Sequence, residues 1–144
     1  MYGLSELEMR IVSELEEAGE EGLQTMAVTV MPGLASSDPF LDFQNALRRL
    51  VARDFLRMST GRDAAGRLVE LPQEDSLAEV EKIGEILSFD SSSGRWEDRP
   101  SPRGGNMDHY PYIVDTPSGA KMAEKILDAR GYQWWIGSRG RDGG

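Results

Sequence analysis

Residues 38–56 read Asp-Pro-Phe-Leu-Asp-Phe-Gln-Asn-Ala-Leu-Arg-Arg-Leu-Val-Ala-Arg-Asp-Phe-Leu. Asp38 suits a helix N-cap, because its carboxylate can accept from an amide left orphaned at a helix start. Pro39 suits the first helical position, where no amide partner is lost. From there Phe40, Phe43, Leu47, Leu50 and Val51 recur at helical spacing, with Asp42, Gln44, Asn45, Arg48, Arg49 and Arg53 on the other face. The spacing predicts a helix from 39 to about 54. Beyond it, Phe55–Ser59 and Arg67–Leu71 flank a loop with two glycines and predict a hairpin across 55–71, ended by Pro72.

On the N-terminal side, Ser5 and Glu8 form a capping-box pattern, and Leu4, Leu7, Ile11, Leu15 and Ala18 follow at helical spacing before Gly19. A helix over 5–18 follows, with its glutamates on a solvated face. Residues 22–31 read as a short second helix, although Val28, Thr29 and Val30 also suit a strand. Residues 33–39 connect it to the third.

On the C-terminal side, Leu77, Val80, Ile83 and Leu87 predict a short helix over 76–87, opened by a second capping box of Ser76 and Glu79. Ile86–Asp90 and Arg95–Arg99 flank Ser91-Ser92-Ser93-Gly94 as a possible hairpin, and 88–109 is expected to be partly mobile. Tyr110–Val114 reads as an edge strand, since Pro111 cannot donate to a central ladder. Thr116-Pro117 opens a last helix that Gly131 closes, and Tyr132, Trp134, Trp135 and Ile136 follow. The tail 137–144 is expected to be disordered, leaving one domain over 1–136 with an insertion at 72–109.

The 144 residues contain no cysteine, which excludes disulfides, thiolate metal sites and thiol nucleophiles. No apolar run approaches the roughly 20 residues of a membrane span, so no membrane partner is expected and the chain reads as cytoplasmic. The net charge of −9 argues against a protein that coats nucleic acid. Its distribution is uneven: residues 1–39 hold eight acids against one base and 72–100 eight against three, whereas 40–71 hold four against six. Those six bases, Arg48, Arg49, Arg53, Arg57, Arg62 and Arg67, form the one basic stripe before residue 100.

Three helices followed by a hairpin is the order of a winged helix-turn-helix, and Phe43–Leu56 resembles the recognition helix and first wing strand of bacterial winged-helix regulators. Tyr112–Gly119, with its Thr-Pro-Ser-Gly turn, resembles their junction between wing sheet and C-terminal helix. The resemblance covers 4–71 and 110–130. It implies an α+β fold and a dimeric, sequence-specific DNA-binding transcriptional regulator, with Gln44, Asn45, Arg48, Arg49, Arg53, Arg62 and Arg67 on double-stranded DNA. Dimerisation would use Ile126, Tyr132, Trp134 and Trp135.

The alternative is a winged helix used for protein contacts, an adaptor or an acidic inhibitor that mimics DNA toward a basic partner, which fits the charge total better. His109, the one histidine, has no carboxylate–nucleophile set around it and reads as a surface residue. Ser91–Gly94 lacks the Lys-Ser or Lys-Thr of a phosphate loop. Trp134 and Trp135 could stack on a base, but packing is the commoner use. With no nucleophile, metal set or cofactor motif in view, the expectation is a non-enzyme without cofactor or metal.

Overall fold

The computed structural model describes residues 2–99 and 110–136. Within them the chain is a mixed α+β fold of helices α1 (Glu6–Ala18), α2 (Leu23–Val30), α3 (Pro39–Ala52), α4 (Gln73–Glu81) and α5 (Pro117–Arg130), with a 3-10 turn at Ile83–Glu85. The strands are β1 (Glu20–Gly22), β2 (Leu56–Ser59), β3 (Leu87–Asp90), β4 (Arg95–Asp98) and β5 (Tyr112–Asp115). They form an antiparallel three-stranded sheet in the order β1-β5-β2 and a separate β3-β4 hairpin. The hairpin expected over 86–99 forms as β3 and β4, with Phe89 opposite Trp96.

Helix α1 starts on the predicted capping box: the Glu8 amide donates to Ser5 Oγ at 3.1 Å and the Ser5 amide to Glu8 Oε1 at 3.0 Å. It stops at Gly19, whose φ of 85° is a conformation other residues rarely adopt. One side of α1 buries Ile11, Val12 and Leu15 in the core. Arg10 is also buried, and its guanidinium donates to the carbonyls of Val30 and Pro32, both at 2.9 Å. It therefore satisfies carbonyls that the end of α2 leaves orphaned, where a cation also suits the helix dipole. Helix α2 has no side-chain cap at Gly22; the Tyr110 hydroxyl takes that role, accepting from the Gln24 amide at 3.1 Å while donating to Asp98 at 2.7 Å.

Helix α3 begins as its sequence predicts, with the Leu41 amide on Asp38 Oδ1 at 3.1 Å. Its end is a Schellman turn: Asp54 takes φ 63°, its amide donates to Val51 O at 3.0 Å, and the Phe55 amide donates to Leu50 O at 2.9 Å. Phe43, Ala46, Leu47, Leu50 and Val51 are fully buried, and Trp96 of the hairpin meets Phe43 edge-on at 5.5 Å.

Three expectations are corrected. First, the hairpin across 55–71 is not a paired wing. β2 pairs with β5, and residues 60–71 return along its other side as a loose ribbon, with Leu71 N on Met58 O at 2.9 Å and one bridge between Arg62 and Leu68. Second, β5 is the central strand, not an edge, because Pro111 precedes the ladder instead of standing in it. Third, Ser76 is not an N-cap. α4 starts earlier, at Gln73 after Pro72, and Ser76 is buried with its hydroxyl accepting from Met58 N and donating to Leu71 O. Strand β1 has no counterpart in the sequence reading, since three residues are too few for a periodic signal. Of the stretch 88–109 expected to be partly mobile, residues 88–98 belong to the β3-β4 hairpin, and 100–109, like the tail 137–144, lie outside the described residues.

The predicted Thr-Pro turn docks α5 on the end of α3. The Thr116 amide donates to Phe55 O at 3.2 Å and its hydroxyl to Asp54 O at 2.5 Å, while the same hydroxyl accepts from the Gly119 amide at 3.0 Å. A Cβ on Gly119 would stand 1.9 Å from Phe55 O, which is backbone and cannot step aside. Gly119→Ala should therefore cost about 2–4 kcal/mol in urea unfolding, as an overpacked core position does. A cost under about 0.5 kcal/mol would mean that α5 is not docked this closely.

Candidate functional site

The polar face of α3 is where the sequence places its base-reading side chains. Gln44 donates through Nε2 to the Val80 carbonyl of α4 at 3.0 Å. Asn45 accepts from Arg48, and Arg48 forks onto Glu81 of α4 at 2.7 and 3.1 Å. That hydrogen-bonded pair holds the Glu81 carboxyl below the usual carboxylate range and raises the guanidinium further. Arg49 turns the other way, to Glu8 at 2.6 Å, the acid that also closes the cap of α1. Arg53 donates to Gly3 O at 2.6 Å and lies over the Phe55 ring.

Arg62 and Arg67 stand on the ribbon beyond β2. Arg62 bonds Glu20 of β1 at 3.0 Å and Gly66 O at 2.8 Å, with its guanidinium 5.2 Å from the centre of the Tyr112 ring. Arg67 is exposed, with no side-chain partner among the described residues. Arg57, the remaining base of the stripe, pairs with Asp54 at 2.5 Å. The stripe is thus divided in space: Gln44 and Arg48 face α4 with Asn45 on Arg48, Arg49 and Arg53 face the N-terminal segment, and Arg62 and Arg67 sit at the sheet end. Their acid partners, Glu8, Glu20 and Glu81, are 41, 42 and 33 residues away, so no local pattern reports them.

Beside this face lies an open groove of about 670 Å³ between the α2–α3 connection and the β3-β4 hairpin. Val28, Met31, Leu34, Phe89 and Trp96 supply its apolar wall, and Arg95 and Glu97 its charges. Sequence reading missed it because its walls come from segments some 60 residues apart. Ser91–Gly94 form the turn of that hairpin, with Asp90 accepting from the Ser92 amide and hydroxyl at 2.9 and 2.7 Å. His109 lies outside the described residues. Among those described, no group of three or more acids and histidines is placed to hold a metal ion. No helix among them is long and apolar enough to cross a membrane.

Three of the four residues expected at a dimer interface are used within one chain. Ile126 and Trp135 are buried, and the Trp135 indole donates to Thr29 O of α2 at 3.2 Å. Trp134 donates to Ser13 Oγ of α1 at 3.2 Å and is covered by the Arg130 guanidinium 3.6 Å from its ring centre. Of the four, Tyr132 alone is exposed, at 71%. The rings cover α1 and α2.

The glutamates of α1 are not all solvated, contrary to the amphipathic reading. Glu8 and Glu14 are buried, and Glu14 meets Glu21 of β1, which is buried too. The apolar spacing of α1 cannot show this, because the sheet reaches past the apolar stripe.

Trp135→Ala should lower stability by about 3–5 kcal/mol, the usual cost of emptying a buried aromatic site. The loss should be the same at every protein concentration. A denaturation midpoint that rises with concentration would instead place the ring between two copies of the chain.

No protein-family model, curated protein or solved structure matches this chain.

Proposed function

We propose that this chain is a non-enzymatic, winged-helix-like module that binds a basic protein partner through its acidic surface. The element order α1-β1-α2-α3-β2 and the sheet order β1-β5-β2 support a winged helix in which residues 60–111 stand as a long insertion at the wing. The observation that carries the protein-contact reading is the placement of α4 along α3. It occupies Gln44 and Arg48, two of the side chains that would read base edges, and sets Glu81 where a phosphate would approach. Carboxylates also hold Arg49 and Arg62.

Exposed acids, among them Glu74, Asp75 and Glu85 on α4 and the turn after it, continue this surface. A net charge of −9 draws in cationic partners and opposes a duplex over the Debye length, about 10 Å at 0.1 M salt. One feature favours DNA binding instead: the Arg48–Glu81 pair is exposed on both sides, and a surface ion pair is weak, about 0–1 kcal/mol, so Arg48 is readily released to phosphate. That reading keeps Gln44, Asn45, Arg48, Arg49, Arg53, Arg62 and Arg67 as the contact set of a sequence-specific regulator.

Fluorescence anisotropy separates the two. In about 50 mM salt, where phosphate contacts are strongest, mixed-sequence duplex should show no saturable binding. An arginine-rich peptide should bind, release with added salt, and bind several-fold more weakly to the variant Glu74→Gln/Asp75→Asn/Glu85→Gln. Duplex binding that Arg48→Ala/Arg49→Ala abolishes would replace this function with the DNA-binding regulator.

A further inference from the structure

The last turns of α1 lie over the inner face of the three-stranded sheet. On that face the row Glu21–Ile113–Met58 crosses β1, β5 and β2, and all three residues are buried. The next row places Asp115 beside the fully buried Leu56. Two carboxyl pairs therefore bridge α1 and the sheet: Glu14 with Glu21, and Glu16 with Asp115. Glu21 is 8% exposed and Glu14 9%, and Glu21 Oε2 has no hydrogen-bond partner among the described residues. Glu17 beside them takes the Gln133 amide on one oxygen at 3.1 Å and leaves the other unpartnered.

Among the described residues no cation compensates them. The last turn of α1 has no basic residue, and α2 carries no ionisable side chain. β2 presents Leu56 and Met58 inward, while Arg57 lies in the row of Val114 and Glu20 on the other face and is held by Asp54. Arg62 is held by Glu20 and Arg130 by Glu6, and Lys121 and Lys125 of α5 stand in solvent. The negative end of the α1 dipole adds to the same field.

We infer that the Glu14–Glu21 pair is a latch released by alkaline pH: protonated Glu21 pins β1 beneath α1, and its ionisation frees β1 from the edge of β5. Burial above all, then the hydrogen bond and charge of Glu14, pushes the Glu21 carboxyl up to about 8. Burial, then the hydrogen bond and charge of Asp115, raises Glu16; burial also raises Glu17, with the charge of Glu14 adding to it. Because the folded value of Glu21 exceeds the ordinary 4.5, the folded state holds this proton more tightly than the unfolded chain. The stabilisation is complete below about 4.5 and is lost as pH rises through about 8. β1 yields first because it has three residues, pairs on one side only, and follows Gly19 at φ 85°.

Thermal melts and amide protection factors at pH 6 and pH 9 test this on the whole chain. The wild-type melting temperature should fall by roughly 5 °C or more, and the amides of 20–22 should lose protection at least tenfold more than those of 56–59. Glu21→Gln should remove most of both losses, whereas Glu16→Gln should leave the 20–22 effect in place. If Glu21→Gln fails to fold, carbon-13 titration of the wild-type carboxyls decides, with one glutamate expected near pH 8. The latch is overturned by a flat or rising melting temperature, by the same pH slope in Glu21→Gln, by even loss of protection across the sheet, or by every glutamate titrating at about 4–5.

Discussion

The structure depends on the contact between the end of α3 and the start of α5. At one side is the Schellman turn, in which Asp54 adopts the left-handed conformation and sends Phe55 into β2. At the other is Thr116, which caps α5 with its hydroxyl and spends the same group on the Asp54 carbonyl. The two backbones approach so closely that position 119 has no room for a Cβ. Since β5 ends at Asp115 and β2 begins at Leu56, the same contact fixes their register, with Leu56 opposite Asp115. A residue pair this close to both strand ends leaves little freedom for a one-residue slip, which would turn Ile113 and Met58 outward. The same contact closes the connection of 52 residues between Ser59 and Tyr112.

That long connection is what changes the character of α3. With a hairpin-sized connection the polar face of this helix would stand open; here the connection brings α4 against it. Gln44 and Arg48 find partners on α4, and Gln73 at its start donates back to the Val51 and Ala52 carbonyls at 2.9 and 3.1 Å. The Arg48–Glu81 ion pair is individually weak because it is exposed. The joint effect of the ion pairs is on the field: a face that is net basic in sequence becomes a mosaic of paired charges. Long-range attraction depends on unpaired charge, so the consequence for a polyanion is larger than the consequence for stability.

The parts of the fold legible in sequence are those whose causes are local. The caps at Ser5, Asp38 and Thr116 and the stops at Gly19 and Gly131 act within a few residues, and α1, α3 and α5 follow from them. What was illegible depends on contacts across the chain. Ser76 and Glu79 have the spacing of a cap, yet the Ser76 hydroxyl is claimed by Met58 and Leu71, so α4 begins a turn earlier. Pro111 argues against a central strand only if it stands inside the ladder, and it stands just before it. The candidate site was least legible of all. Residue type suggested what Arg48 and Arg49 could touch, and burial and distant acids decided what they do touch.

The same limit bears on Glu21. A charged residue facing inward on an edge strand is one way natural sheets resist pairing with another chain, and β1 is an edge. Edge protection alone, however, is served by charge in reach of solvent, and Glu20 already supplies one on the outer face. Glu21 is buried against a second carboxyl, where its ionised form is penalised by desolvation and by like charge together. A glutamine there would keep the shape and a hydrogen bond to Glu14 at every pH. The property that glutamate adds over glutamine at this position is its proton, and β1, the shortest strand of the sheet, is where losing that proton meets the least resistance.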